Sequence, residues 1–314
     1  MRVLITGASG FVGRAVCDAF IRRGDVVHAV VRSSVHAWSL PEPARVIALG
    51  PIEDVADWRP HLASIDVIVH LAAKVHAPAT ANADYDRVNR DATARLASHA
   101  TAARVQTFIF MSTVKVMGET SPRDRSFTET DEPRPSGGYA RSKFEAEQIL
   151  NRLSEDGAMN VSILRPPLVY GPGVGANFLA LLRAVDRHVP LPIGSIDNRR
   201  SIIFVRNLAS AVVSASGGTG GTFFIRDGTD LSTVDLVRAI GAALQKRPLI
   251  LPLPQILLRS AARFNRRGAL TRLMSSLSAD DSLFRLRHRW EPPFSFAQGL
   301  GETVAWYKSP LHAR

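Results

Sequence analysis

Short, almost unbroken runs of β-branched and other apolar residues punctuate the first two-thirds of the chain: Val3–Thr6, Val26–Val31, Val46–Leu49, Asp66–His70, Thr107–Ser112 and Val161–Arg165. Longer stretches lie between them, with apolar residues three or four apart, the spacing that gives a helix one apolar face. A strand apolar on both sides belongs inside a parallel sheet covered by helices, and parallel neighbours need crossovers that turn right-handed. The pattern predicts an α/β fold, a doubly wound parallel sheet of the Rossmann type.

Beyond about Tyr170 glycine and proline interrupt the alternation. A helix is predicted near Asn177–His188, with brief strands at Ile202–Val205 and Thr222–Ile225. Ser232-Thr-Val-Asp235 and Ser295-Phe-Ala-Gln298 have the form of capping boxes and open helices through Leu236–Leu244 and Leu300–Tyr307. A chain of 314 residues accommodates one large core plus a smaller lobe. The expected division is a dinucleotide-binding domain of residues 1–169 and about 200–227, and a C-terminal substrate-binding lobe of about 170–199 and 228–314.

Composition narrows the setting. With 46% hydrophobic and 21% charged residues the chain is globular in type, and no run approaches the ~20 apolar residues of a membrane-spanning helix. MRVLITGASG runs straight into a glycine loop, without the apolar stretch or cleavage site of an export signal. A cytoplasmic protein is expected. The one cysteine, Cys17, rules out an intramolecular disulfide and reads as a core side chain. Nine histidines show no ligand-like spacing, and His70 and His76 stand beside a strand end without cysteine or paired carboxylates, so no metal is expected.

The net charge of +11 is spread along the chain and suits an anionic ligand. Its densest cluster, Arg259, Arg263, Arg266, Arg267 and Arg272, follows the apolar segment Leu249–Leu258. That segment could lie against anionic lipid, but a solvated helix face is the simpler reading. Neither zinc-finger spacing nor a basic motif interleaved with aromatics is present, so no nucleic-acid partner is expected.

The chemistry begins at the first strand's end. Thr6-Gly7-Ala8-Ser9-Gly10-Phe11-Val12-Gly13 lies between that strand and an apolar helix. One glycine makes the tight turn, a second lets backbone N–H groups approach a pyrophosphate, and a third permits close helix packing. Gly7, Ser9, Gly10, Phe11, Val12 and Gly13 are therefore candidate cofactor contacts. An NAD site usually places an acid at the end of the second strand, where it binds the adenosine ribose. Here the chain reads Val30-Val31-Arg32-Ser33-Ser34, and Arg32 with Ser33 could hold a 2′-phosphate instead. NADP(H) is preferred on this reading, with NAD(H) possible.

Tyr139-Ala-Arg-Ser-Lys143 puts a phenol and an ammonium four residues apart, on one face of a helix predicted to run towards Leu153. A cation beside a phenol stabilises phenolate and lowers its pKa, which would make Tyr139 a usable acid–base group. A strand ending in Ser112-Thr113, followed by Val114-Lys115-Val116-Met117-Gly118, supplies a third element.

In this order the motifs resemble, over nearly the whole chain, the extended short-chain dehydrogenase/reductase family of sugar-nucleotide epimerases, dehydratases and reductases. The resemblance implies that Thr113, Tyr139 and Lys143 are catalytic, with Thr113 bonded to the reacting oxygen and Lys143 also on the nicotinamide ribose. His70-Leu71-Ala72-Ala73 and the segment Arg165-Pro166 to Gly173 would line the cofactor, adding Leu71, Ala72, Ala73 and Pro166. Asn177 and Arg200 would meet the substrate diphosphate, and Leu191, within Pro190–Gly194, the uridine. A UDP-sugar substrate and a homodimer through the Tyr85–Ala103 and Tyr139–Leu153 helices follow by the same resemblance.

Val114-Lys115 stands where dehydratases carry an Asp-Glu pair, which counts against dehydration. Leu71–His76 and Thr113–Val116 are similar to segments of bacterial surface-polysaccharide enzymes. That similarity implies a 4-ketoreductase of a UDP-2-acetamido-2,6-dideoxy-4-ketohexose, giving UDP-N-acetylquinovosamine or UDP-N-acetylfucosamine. The alternatives are a UDP-hexose 4-epimerase with retained NAD and a non-catalytic dinucleotide sensor.

Overall fold

The computed structural model describes residues 1–35, 40–75, 82–122, 124–157, 159–254 and 273–309. The strands are β1 (Arg2–Thr6), β2 (Val26–Val31), β3 (Arg45–Ala48), β4 (Val67–His70), β5 (Thr107–Met111), β6 (Asn160–Arg165), β7 (Leu168–Tyr170), β8 (Ile202–Phe204) and β9 (Gly221–Phe224). The principal helices are α1 (Phe11–Arg22), α2 (Ala92–Ala102), α3 (Gly137–Glu155), α4 (Ala176–Asp186), α5 (Val205–Ala215), α6 (Thr233–Leu244), α7 (Ser282–His288) and α8 (Phe296–Lys308).

Seven strands form one parallel sheet in the order β3-β2-β1-β4-β5-β6-β9. Successive side chains of each strand serve opposite faces, as the pleat demands. Val3, Ile5, Val67, Val69 and Ile109 meet Val16 and Phe20 of α1 and Leu208 and Val212 of α5. Leu4, Ile68, Phe108, Phe110 and Ile163 meet Leu96 of α2 and Leu150 of α3. At about 1.5–3 kcal/mol for each fully buried aliphatic or aromatic side chain, this double coverage is the main favourable contribution to the fold. The doubly wound sheet is as the apolar runs predicted.

Edges differ from expectation by a residue or so. The third strand is an exposed edge, so no buried side set its limits. Asp66 precedes β4, where its backbone still bonds Arg2 and Thr107 and its carboxylate also accepts the Arg2 N–H at 2.7 Å. The helix expected over Tyr85–Ala103 contains a wider π-turn, Asp86–Asp91, between a first turn at Asn82–Tyr85 and α2. Ser295 and Gln298 form the complete capping box. At Ser232 only half of one forms: its Oγ accepts the Asp235 N–H at 3.0 Å, and the shorter Asp235 side chain takes the Ser232 hydroxyl at 2.7 Å.

After β6 the chain adds a two-stranded parallel sheet, β7–β8. Tyr170, Phe178, Phe204, Leu236 and Leu300 build a second core there, between α4, α6 and α8. Among the described residues no helix is long and apolar enough to cross a membrane. The cluster Arg259 to Arg272 and the side chain of His76 lie outside the described residues.

Candidate active site

The carboxyl ends of β1, β2, β4, β5 and β6 converge on one edge of the sheet. Gly7 turns with a positive φ of 69°, and a Cβ there would stand 2.8 Å from the Ala72 nitrogen, so the Leu71–Ala73 segment leans directly on the glycine loop. A Cβ at Gly13 would stand 2.6 Å from the Ala8 carbonyl oxygen and closer still to that of Gly7. Gly10 precedes α1 with no side chain to cap it, leaving first-turn N–H groups for an outside acceptor. A cradle with Cβ atoms excluded at Gly7 and Gly13, bare N–H groups and the positive end of a helix suits a dinucleotide pyrophosphate. Ser9, Phe11 and Val12 lie along its rim. Ala8 N–H reaches the Val30 carbonyl at 3.3 Å, so the loop abuts the end of β2. Arg32 and Ser33 follow there, Arg32 exposed.

β5 ends in two hydroxyls with different fates. Ser112 donates to the carboxylate of Glu147. Thr113, extended at φ −161°, caps the short turn Val114–Met117 by accepting the Lys115 N–H at 3.3 Å, and its side chain is near enough to the Tyr139 phenol to act on its pKa. The adjoining Val114 N–H donates to the Pro166 carbonyl at 3.0 Å, which holds the β5 and β6 ends together.

Tyr139 and Lys143 share one side of α3. The Tyr85 ring meets Tyr139 edge-on, 6.2 Å between centroids, and the Lys143 ammonium is buried, 4.2 Å from the centroid of the Phe110 ring. The expectation that Lys143 lowers the phenol's pKa is corrected here. Burial dominates and pushes Tyr139 up to about 12, with the nearby Thr113 hydroxyl acting in the opposite sense. The same desolvation pushes Lys143 down to about 7 against an opposing pull from Glu147. Both groups lean towards their neutral forms, so Tyr139 stands as a proton donor.

Asn177, Leu191 and Arg200 lie on other segments of the chain. Asn177 is exposed in the first turn of α4. Leu191 exchanges backbone hydrogen bonds with Leu249 and Leu251. Arg200 directs Nη1 to the Ser275 carbonyl at 2.9 Å and lies in the field of Glu119. Among the described residues no histidine, cysteine and carboxylate cluster could hold a metal.

Sequence reasoning missed the polar groups beneath the cluster. Glu147 and Arg165 form a buried ion pair at 2.6 Å. Buried Asn89 accepts the Lys74 N–H at 2.8 Å and donates to Ser142 Oγ at 3.0 Å. Both carried a signal, a polar residue on the apolar face of a predicted helix. Asn89 falls in step with Ala92 and Leu96, and Glu147 with Lys143 and Leu150.

A parallel sheet with a glycine loop at its carboxyl edge, beside a Thr–Tyr–Lys cluster, defines a nicotinamide-dependent enzyme of the extended short-chain dehydrogenase/reductase type. The chain belongs to the NAD dependent epimerase/dehydratase family, whose model matches residues 3–219. It is 34% identical over 312 residues to a UDP-glucose 4-epimerase of Vibrio cholerae, covering 96% of this chain and 94% of that protein. The fold is similar to that of a UDP-glucose 4-epimerase with UDP-glucose from Thermotoga maritima, with a TM-score of 0.81 and 24% identity over 99% of this chain and all of that one (100%). It is also similar to a UDP-glucuronic acid 4-epimerase from Bacillus cereus in complex with NAD, with a TM-score of 0.82 and 22% identity, covering 99% of this chain and 100% of that one.

Proposed function

We propose that the protein performs redox chemistry at C4 of a UDP-sugar, as an NADPH-dependent 4-ketoreductase of a UDP-2-acetamido-2,6-dideoxy-4-ketohexose. Its product is UDP-N-acetylquinovosamine, or the C4 epimer UDP-N-acetylfucosamine, for bacterial O-antigen or other surface polysaccharide. The observation that carries the reading is the placing of Tyr139 and the buried Lys143 on one side of α3, with Thr113 at the phenol, next to the glycine cradle.

Hydride exchange at C4 is the chemistry that a nicotinamide supplies when bound. The chain's own part follows from its groups. Gly7, Ser9, Gly10, Phe11, Val12 and Gly13 would hold the pyrophosphate, and Leu71, Ala72, Ala73 and Pro166 would line the same crevice. Tyr139, kept protonated by burial, gives its proton to the oxygen at C4, while Thr113 hydrogen-bonds that oxygen as negative charge develops. Lys143 fixes the phenol's surroundings and is assigned to the nicotinamide ribose. Asn177, Arg200 and Leu191 are assigned to the nucleotide, remote from the reacting carbon, where binding energy can align C4. Residues 1–169 with about 200–227 form the dinucleotide domain on this reading, and the remainder the sugar-nucleotide lobe. The active form is a cytoplasmic homodimer.

Arg32, exposed at the end of β2 where no carboxylate stands, favours NADPH and hence reduction. The Vibrio cholerae relative favours a second reading, a UDP-hexose 4-epimerase with retained NAD. To separate them, the 4-keto sugar is supplied with NADPH, and UDP-glucose and UDP-N-acetylglucosamine are each supplied with catalytic NAD. Products are resolved by NMR. Stoichiometric NADPH consumption with a 4-hydroxy product is expected. Inversion at C4 of an intact UDP-hexose, with no net consumption on the keto sugar, establishes the epimerase.

A further inference from the structure

The polar groups buried between the glycine loop and α3 form one directed chain of hydrogen bonds. Thr6, His70, Thr93 and Asn89 are each 0% exposed. Thr93 Oγ1 donates its only proton to the Asn89 carbonyl, one turn back, at 2.6 Å. At its 2.9 Å contact with His70 Nε2 the Thr93 oxygen must therefore accept, so Nε2 carries the hydrogen. Burial, reinforced by the charge of Lys143, holds the His70 imidazolium down to about 3, so the ring is neutral and Nδ1 is bare. Nδ1 then accepts from Thr6 Oγ1 at 2.7 Å. The Thr6 oxygen in turn accepts the Ala72 N–H at 3.3 Å.

The far end reaches the acid's helix. The Asn89 side chain grips Lys74 by both its N–H, at 2.8 Å, and its carbonyl, at 3.0 Å. Its Nδ2 also donates to Ser142 Oγ, and Ser142 donates to the Tyr139 carbonyl, each at 3.0 Å. Thr6 and His70 are register partners on β1 and β4. The line, joined at Asn89 through that residue's own frame from backbone carbonyl to side-chain amide, runs from the residue before Gly7, across two strands and α2, to the backbone of Tyr139.

We propose that His70 is a positioning residue whose Nε2–H tautomer ties the cofactor cradle to the helix presenting Tyr139, so that cofactor loop and acid keep one register. Apolar side chains could fill this volume and hold the sheet to the helix equally well. A fully satisfied polar network adds a fixed direction at every link. The inference rests on Tyr139 being the acid–base group.

The test uses the full chain in three parts. NMR of the unaltered protein labelled with ¹⁵N-histidine is expected to show protonated Nε2 and bare Nδ1, unchanged across the range where free histidine titrates. Thr93→Val, nearly isosteric, removes the acceptor for Nε2–H, whereas Thr93→Ser keeps it. His70→Asn keeps an acceptor for Thr6 and loses the donor to Thr93. Thr93→Val and His70→Asn are expected to lower kcat about tenfold. The cofactor Kd and sugar KM should stay within about twofold, with Thr93→Ser close to the parent.

An Nδ1–H or titrating ring overturns the proposal. So does an unchanged kcat in Thr93→Val, or an equal loss in Thr93→Ser. If Tyr139→Phe keeps its activity, the acid is misassigned and the coupling falls with it. If Tyr139→Phe is inactive and Thr93→Val is not impaired, the coupling alone fails.

Discussion

Glu147 lies one helical turn beyond Lys143 on the buried side of α3, yet its carboxylate is gripped by Arg165, at 3.1 Å to Nε and 2.6 Å to Nη2, and not by the ammonium. Ser112 donates to the same Oε1 that accepts from Arg165 Nε. Lys143 is left over the Phe110 ring, with Glu147 acting on it only through its field and no ion pair to it among the described residues. Protonating a lysine held this way is costly to the fold.

Removing one partner of the pair strands the other. Glu147→Gln is expected to lower stability by about 3 kcal/mol, because the Arg165 guanidinium is then buried without a counter-charge. Urea unfolding measures it, and a loss below about 1 kcal/mol would refute the view that the pair is fully desolvated.

Lys143→Met should stabilise the protein as it abolishes turnover. The ordinary lysine value is 10.5 and the buried one about 7. Between these the unfolded chain holds more protons, so stability rises with pH across that window and is lost as pH falls through about 7. Methionine has no such dependence. Its Tm should exceed the parent's by about 2 °C or more near pH 6, and the curves should converge near pH 10. Parallel curves at all pH values would show that Lys143 is well solvated.

Tyr139→Phe removes the transferable proton and almost none of the contact surface. Turnover should fall about 100- to 10,000-fold with cofactor affinity within a few-fold. Retention of more than about half the activity rules out Tyr139 as the acid.

Arg32→Ala should weaken NADPH by about tenfold and leave NADH nearly unchanged, since only NADPH carries a 2′-phosphate for a guanidinium to bind. Titration of each cofactor by fluorescence provides the comparison. Equal losses would return the epimerase reading to first place.

The sheet was legible because its strands are buried on both faces and so read as continuous apolar runs, as in Val67–His70 and Thr107–Met111. The exposed β3 and the three-residue β7 gave weaker signals, since neither is long enough or buried enough to show a period. Motif spacing brought Tyr139 and Lys143 onto one helical side, and the resemblance named Thr113, which follows β5 and lies near the Tyr139 phenol. The phenol's raised pKa was beyond sequence reasoning, because desolvation depends on what surrounds a group in space and spacing reports only neighbours along a helix. The tie from Thr6 to Asn89 was hidden for the same reason, its members lying on two strands and a helix.

β6 is flanked by β5 on one side and β9 on the other, with Ser162 opposite Gly221 and Arg165 opposite Phe224. During synthesis β5 is already available when β6 emerges, whereas β9 follows only after the whole span from Leu168 to Gly220 has left the ribosome. Throughout that interval one flank of β6 offers bare N–H and C=O groups, a template for any other extended chain. A chain stopped between Arg165 and Gly221 is therefore expected to expose that edge and to aggregate, which light scattering of the truncated product checks. The last strand to be made is the one that seals the first half of the molecule.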